Sequence, residues 1–133
     1  MKHIELYCGA KNIMKWTSEK ALVEYDVATS LYKIFTVGQK LVISNPVFLI
    51  YDEGTSNSCC HNYTADVVKM NINDNYKNGE QSILLYNDNK EVMRLFHGKQ
   101  CGVESIEDGI TTLFVDDNKI KTIGFNYLVI ARN

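Results

Sequence analysis

The sequence predicts a mainly β protein, a single-domain antiparallel β-sandwich or barrel of about nine or ten short strands. Three observations carry that expectation. A hairpin is written twice in the second half: residues 83–96 and 112–125 each run from an apolar stretch through an Asp-Asn-Lys turn into a second apolar stretch. Apolar and polar residues alternate with a period of two in several segments of the first half. Turn-forming Gly, Asn, Asp and Ser clusters recur between these segments, with no linker or low-complexity tract, so residues 1–133 read as one β-rich domain.

Taken in chain order, Ile4, Leu6 and Cys8 alternate with Glu5 and Tyr7 and give a first strand one apolar face; residues 9–12 look like a turn. From Ala21 the residues Ala21, Val23, Tyr25, Val27 and Thr29 share one side, with β-branched and aromatic types suited to a strand. The competing reading is a helix near 18–36, with Ser18 as N-cap and Gly38 just past its end, which would make the fold α+β. Lys20 and Glu24 would then interrupt the apolar arc of Val23, Val27, Leu31 and Phe35, so strand is preferred.

Residues 32–37 and 41–44 flank Gly38-Gln39, a loop suited to a II′ turn. Asn45-Pro46 breaks the run before Val47, Phe48, Leu49, Ile50 and Tyr51 resume it. Proline cannot donate to a ladder, so it marks an edge or a bulge. Residues 52–62 read as a polar loop, 64–72 as a strand and 73–81, with Asn78-Gly79, as another loop. After the duplicated hairpins, residues 127–131 form a near-continuous apolar run, which suits a strand buried on both faces.

Composition excludes several function classes. The formal net charge of −2 and pI of about 5.9 give no global positive field for phosphates or anionic lipid, so nucleic acid is not expected as the main partner. Glu5 interrupts the apolar stretch that a secretory signal would need, and no segment reaches the ~18 apolar residues of a membrane helix. A cytoplasmic protein with reduced thiols is therefore expected, and Asn62-Tyr63-Thr64 is read as a chance glycosylation triplet. Abundant Asn, Ile, Lys and Tyr with scarce Arg and Pro suggest an AT-rich genome, hence a bacterial cell or a phage-infected host.

The sharpest chemical constellation joins Cys59, Cys60 and His61 with His97 and Cys101. Thiolate and neutral imidazole are zinc's preferred ligands, so Cys59, His61, His97 and Cys101 are the candidate metal set, although the spacing departs from CxxC knuckles. The same thiols, with His61 or His97 as base and Asp52 or Glu53 orienting it, could serve a small cysteine-dependent hydrolase or transferase. A disulfide from Cys101 to Cys59 or Cys60 is a third option, against which stands the usual fate of cysteine as inert core packing.

The carboxylate pairs Asp52-Glu53, Glu107-Asp108 and Asp116-Asp117 sit in turns, where neighbours diverge into solvent. The calcium-loop pattern fails at 73–79, where Lys77 takes a ligand position and the glycine comes one residue late. No phosphate loop, HExxH, GxSxG or dinucleotide fingerprint is present. The expectation is a non-enzymatic protein without cofactor that occupies a partner protein or sequesters a small ligand, as an inhibitor or immunity-type protein does. Tyr51, Tyr63, Tyr76 and Tyr86, at or beside expected loops, are the candidate binding residues, since tyrosine gives rigid amphipathic contacts. An open sheet edge would also allow a homodimer by pairing across a two-fold axis.

Overall fold

A computed structural model describes residues 1–8, 11–55, 57–58 and 80–131, and among these the fold is all β in three antiparallel sheets with no helix. The central sheet has six strands in the order β10 (Cys101–Glu107), β11 (Ile110–Val115), β12 (Asn118–Ile123), β6 (Val47–Asp52), β1 (Lys2–Cys8) and β2 (Lys11–Ser18). A four-stranded sheet runs β13 (Asn126–Ala131), β8 (Gln81–Tyr86), β9 (Val92–Gly98) and the short β7 (Asn57–Ser58). A three-stranded sheet contains β3 (Ala21–Asp26), β4 (Leu31–Thr36) and β5 (Gln39–Ile43). The central sheet is open, so the sandwich expectation holds and the barrel does not. The expected strand at 64–72 and nearly all of the loop at 73–81 lie outside the described residues.

Alternation along β1 and β6 explains how the layers stack. Leu49 and Tyr51 of β6, with Tyr7 of β1, join Ile83, Leu85, Met93 and Phe96 of the four-stranded sheet in one core. Phe48 and Ile50 of β6, with Ile4 and Leu6 of β1, join Val23 and Ile34 of the three-stranded sheet in another. The central sheet is thus covered on both faces, and β6 is its buried spine: Phe48 and Leu49 are both 0% exposed. At roughly 1.5–3 kcal/mol per fully buried large apolar side chain, the run 47–51 is a principal anchor of the fold.

Two expectations are corrected by that arrangement. Pro46 marks neither an edge nor a bulge; it is buried just before β6 begins, where its missing N–H breaks no ladder bond. The run 127–131 is not a strand buried on both faces. It falls within β13, at the edge of the four-stranded sheet, with Leu128 and Val129 40% and 37% exposed.

The region 18–36 is a β-hairpin in place of the helix, and β3 ends at Asp26, so Val27 turns out to solvent. Asp26 closes the turn: its Oδ1 accepts the Ala28 N–H at 3.0 Å, and its carbonyl accepts the N–H of Ser30, which has φ +59°. Ser18 ties the corner between the central and three-stranded sheets, donating to the Lys20 carbonyl at 2.8 Å and accepting the Val37 N–H at 3.0 Å. The following turn is Val37-Gly38, with Gly38 at φ +82° in the second loop position, so the II′ register with glycine first is shifted by one residue. The expected turn at 9–12 shortens as well, since Lys11 and Asn12 already pair in β2.

The two look-alike hairpins use different turns and belong to different sheets. In β8–β9 the Asn87 side chain gathers the loop, its Oδ1 accepting the N–H groups of Asn89 and Glu91, both at 3.0 Å. In β11–β12 the two-residue turn Asp116-Asp117 suffices, with Asp116 at φ +53°.

Candidate functional site

His97 and Cys101 lie where the first repeated hairpin passes into the central sheet. Asp116, at the tip of the second hairpin, fastens that corner: its Oδ1 accepts the N–H groups of Lys99 and Gln100, both at 3.0 Å, and its own N–H donates to the Gln100 carbonyl. The Cys101 thiol is buried and directed at the Gln81 carbonyl, 3.4 Å away. Burial, with the Asp116 charge adding to it, pushes its pKa up to about 11, opposite to what a thiolate nucleophile requires. Cys59, Cys60 and His61 lie outside the described residues, and among the described residues no group of three His, Cys, Asp or Glu is placed to hold a metal.

A relay that sequence reading missed engages His97. Its Nδ1 lies 3.0 Å from Ser82 Oγ and its Nε2 lies 2.9 Å from Glu80 Oε2. Ser82 and His97 are a direct cross-strand pair of β8 and β9, so the sheet register brings them together. The order Ser-His-Glu resembles a hydrolase triad, but Ser82 is 1% exposed, leaving no approach to its oxygen for a substrate. A zinc ion drawing on His97 and Cys101 would require the imidazole to surrender one of these bonds and the thiol its proton.

A second polar group, also missed, sits between the central and four-stranded sheets. Glu5, 1% exposed, accepts from Arg94 Nη2 at 2.6 Å and from the Tyr7 hydroxyl at 2.5 Å, both on Oε1. Arg94 Nη1 reaches Asn57 Oδ1 at 3.4 Å. Burial alone would raise the Glu5 pKa, but the Arg94 and Tyr7 hydrogen bonds and the guanidinium charge together hold it below the usual carboxylate value. Burial and donation to Glu5 raise the Tyr7 pKa. Among the described residues, Glu5 Oε2 and Arg94 Nε are buried with no hydrogen bond within ordinary distance and angle. The sequence signal was available: Arg94 interrupts the apolar run of Val92, Met93, Leu95 and Phe96, where a charge requires a buried counterpart.

Of the candidate tyrosines, Tyr51 is 6% exposed and belongs to the core, stacked on His3 at 5.1 Å and edge-on to Phe96 at 5.6 Å, so its ring is not on a surface as expected. Tyr86 is half-buried at the end of β8, and Tyr63 and Tyr76 lie outside the described residues.

A concave surface lies elsewhere, a cleft of about 360 Å³ where the three-stranded sheet stops short of the β10 end of the central sheet. Val23, Glu24 and Tyr25 of β3 form one wall, Ser105 and Glu107 of β10 with Asp108 the other, and Ile110, Thr112 and Lys121 contribute to its lining. Both walls are edge strands: among the described residues β3 pairs only with β4, and β10 only with β11. A β-bulge at Glu104 bends β10 beside the cleft, and such bulges serve to re-aim side chains. At the turn, the Tyr32 hydroxyl donates to the Asp108 carbonyl at 2.8 Å, and the Tyr32 ring lies against that of Tyr25 at 4.8 Å. Neither edge strand was marked as a binding face by the sequence, because the cleft comes from two segments about eighty residues apart.

No protein-family model, curated protein or solved structure matches the chain. Among the described residues no helix is long and apolar enough to cross a membrane.

Proposed function

We propose that the chain is a non-enzymatic binding protein that takes an extended, basic segment of a partner protein into the cleft between β3 and β10. The observation that carries this reading is the convergence on one polar cleft of two strand edges, those of β3 and β10, that are unpaired among the described residues. An open edge offers main-chain donors and acceptors to an added strand, while the side chains beside it set specificity. Here Glu24, Glu107 and Asp108 outnumber Lys121, and Tyr25 adds an aromatic face that a lysine or arginine side chain can cover. The polar lining favours a protein segment over an apolar small ligand, which would need mostly hydrophobic walls. Occupying a partner in this way is how an inhibitor or immunity protein works.

NMR titration of the labelled chain with an alternating Lys-Val hexapeptide tests the reading. Shifts should concentrate at Glu24, Tyr25, Ser105 and Glu107, and Glu24→Lys with Glu107→Lys should suppress them. Saturating peptide that leaves these resonances unmoved, or that moves a different face, overturns it.

A further inference from the structure

The chain joins the three-stranded sheet to the central sheet at two places. Glu19-Lys20 leads from β2 into the start of β3, and Ser44-Asn45-Pro46 leads from the end of β5 into β6. Neither join lies at the β3–β4 end, where Tyr25 lines the cleft and Tyr32 is its cross-strand partner. There a side chain makes the tie: the Tyr32 hydroxyl crosses to the Asp108 carbonyl at 2.8 Å, between residues 76 apart in sequence. Buried apolar support is thin, since Val23 and Ile34 are the buried apolar residues of this sheet and Tyr32 is only partly buried.

The receiving side is shaped for that contact. Asp108 and Gly109 form the two-residue turn between β10 and β11, at φ +53° and +78°, the two positive angles of a I′ turn. A Cβ on Gly109 would stand 2.5 Å from the Tyr32 hydroxyl oxygen, so the missing side chain is what lets the hydroxyl reach the neighbouring carbonyl. Charge works against the tie: Glu24 lines one wall of the cleft and Glu107 and Asp108 the other, offset in part by Lys121. We infer that the β3–β4 end of the three-stranded sheet is a lid on the cleft, latched by Tyr32 on Asp108. With the bond made, the β3 wall is held to the β10–β11 turn; with it released, that end lifts and the cleft widens. A single hydrogen bond shifts such an equilibrium only severalfold, so the latch is reversible under native conditions. As regulation of binding the lid rests on the function proposed above, but it is tested without ligand, so the two can fail separately.

The test is native-state hydrogen exchange of the full chain at increasing urea. Amides of β3 and β4 beside the 27–30 turn should exchange through a local opening that depends little on urea, unlike those of β1 and β6. Tyr32→Phe, which keeps the ring and removes the donor, should raise that local opening constant about two- to tenfold. Gly109→Ala should raise it as well in the wild-type chain and leave it nearly unchanged in the Tyr32→Phe background, where the oxygen its Cβ meets is gone. Exchange of these amides with the same urea dependence as β1 and β6 overturns the lid. A Tyr32→Phe chain with the wild-type local opening overturns the latch, as do equal effects of Gly109→Ala in the two backgrounds. Should Gly109→Ala fail to fold, the urea dependence and Tyr32→Phe decide the question.

Discussion

Glu5 and Arg94 illustrate how a single buried pair couples two layers. Each comes from a different sheet, and neither can be removed alone without leaving a charge in the core. Arg94→Ala should therefore cost about 3–5 kcal/mol in urea unfolding, whereas Glu5→Leu combined with Arg94→Met should recover most of that loss. The pair also predicts a pH dependence. The folded-state pKa of Glu5 is lowered, so its stabilising contribution is present above the unfolded value near 4.5 and is lost as pH falls through the folded value. Wild-type stability should fall on acidification below pH 4.5, and Glu5→Gln, which is destabilised at neutral pH, should show a shallower decline over that range.

Cys101 gives a second prediction at the same scale. With its pKa at about 11 and its side chain buried, it should resist iodoacetamide at pH 8, while the exposed Cys8 is alkylated. Peptide mapping by mass spectrometry reads both sites in one experiment. Rapid alkylation of Cys101 in the folded chain would remove the reason for setting this thiol aside as a nucleophile.

At the scale of elements, turns decide more than strands do. Gly124 links β12 to β13 with φ +83°, and a Cβ there would stand 2.7 Å from the Pro46 carbonyl oxygen, a backbone atom that cannot step aside. Gly124→Ala should cost about 1–3 kcal/mol in thermal or urea unfolding, by strain at positive φ and by pushing β13 from the start of β6. The elements themselves were largely legible. Alternation located β1 and β3, the glycine turn after residue 37 located the hairpin β4–β5, and the Asp-Asn-Lys turns located the hairpins β8–β9 and β11–β12. What local sequence does not encode is which apolar strand gains two covered faces. Residues 47–51 and 127–131 are both near-continuous apolar runs; Pro46 pointed the first towards an edge or a bulge and the second was expected to be covered on both faces, and the packing of three sheets reverses the two. Glu5 escaped notice for the same reason: alternation marks only Ile4, Leu6 and Cys8 as the apolar face of β1, and the four-stranded sheet covers the other face as well. The cleft walls are likewise ordinary polar strand residues until the fold brings them together.

For the molecule as a whole, the three layers are not equally secured. The four-stranded sheet meets the central one through a core that includes Ile83, Leu85, Met93 and Phe96, each 0% exposed, and through the Glu5–Arg94 pair. The three-stranded sheet brings only Val23 and Ile34 as buried apolar residues, supported by partly buried neighbours such as Tyr32 and Leu41. Local opening follows the density of buried apolar contact, so β3, β4 and β5 should separate before the other two sheets unfold. Native-state hydrogen exchange at increasing denaturant checks this order. Amides of β4, although central in their own sheet, should exchange through an opening of lower free energy than those of β1 and β6, which should wait for global unfolding. Because β3 forms one wall of the cleft, ligand binding should raise protection in β3, β4 and β5 more than in β8 and β9. Equal protection throughout would mean that the three-stranded sheet is held as firmly as the rest, and that the cleft is a rigid feature.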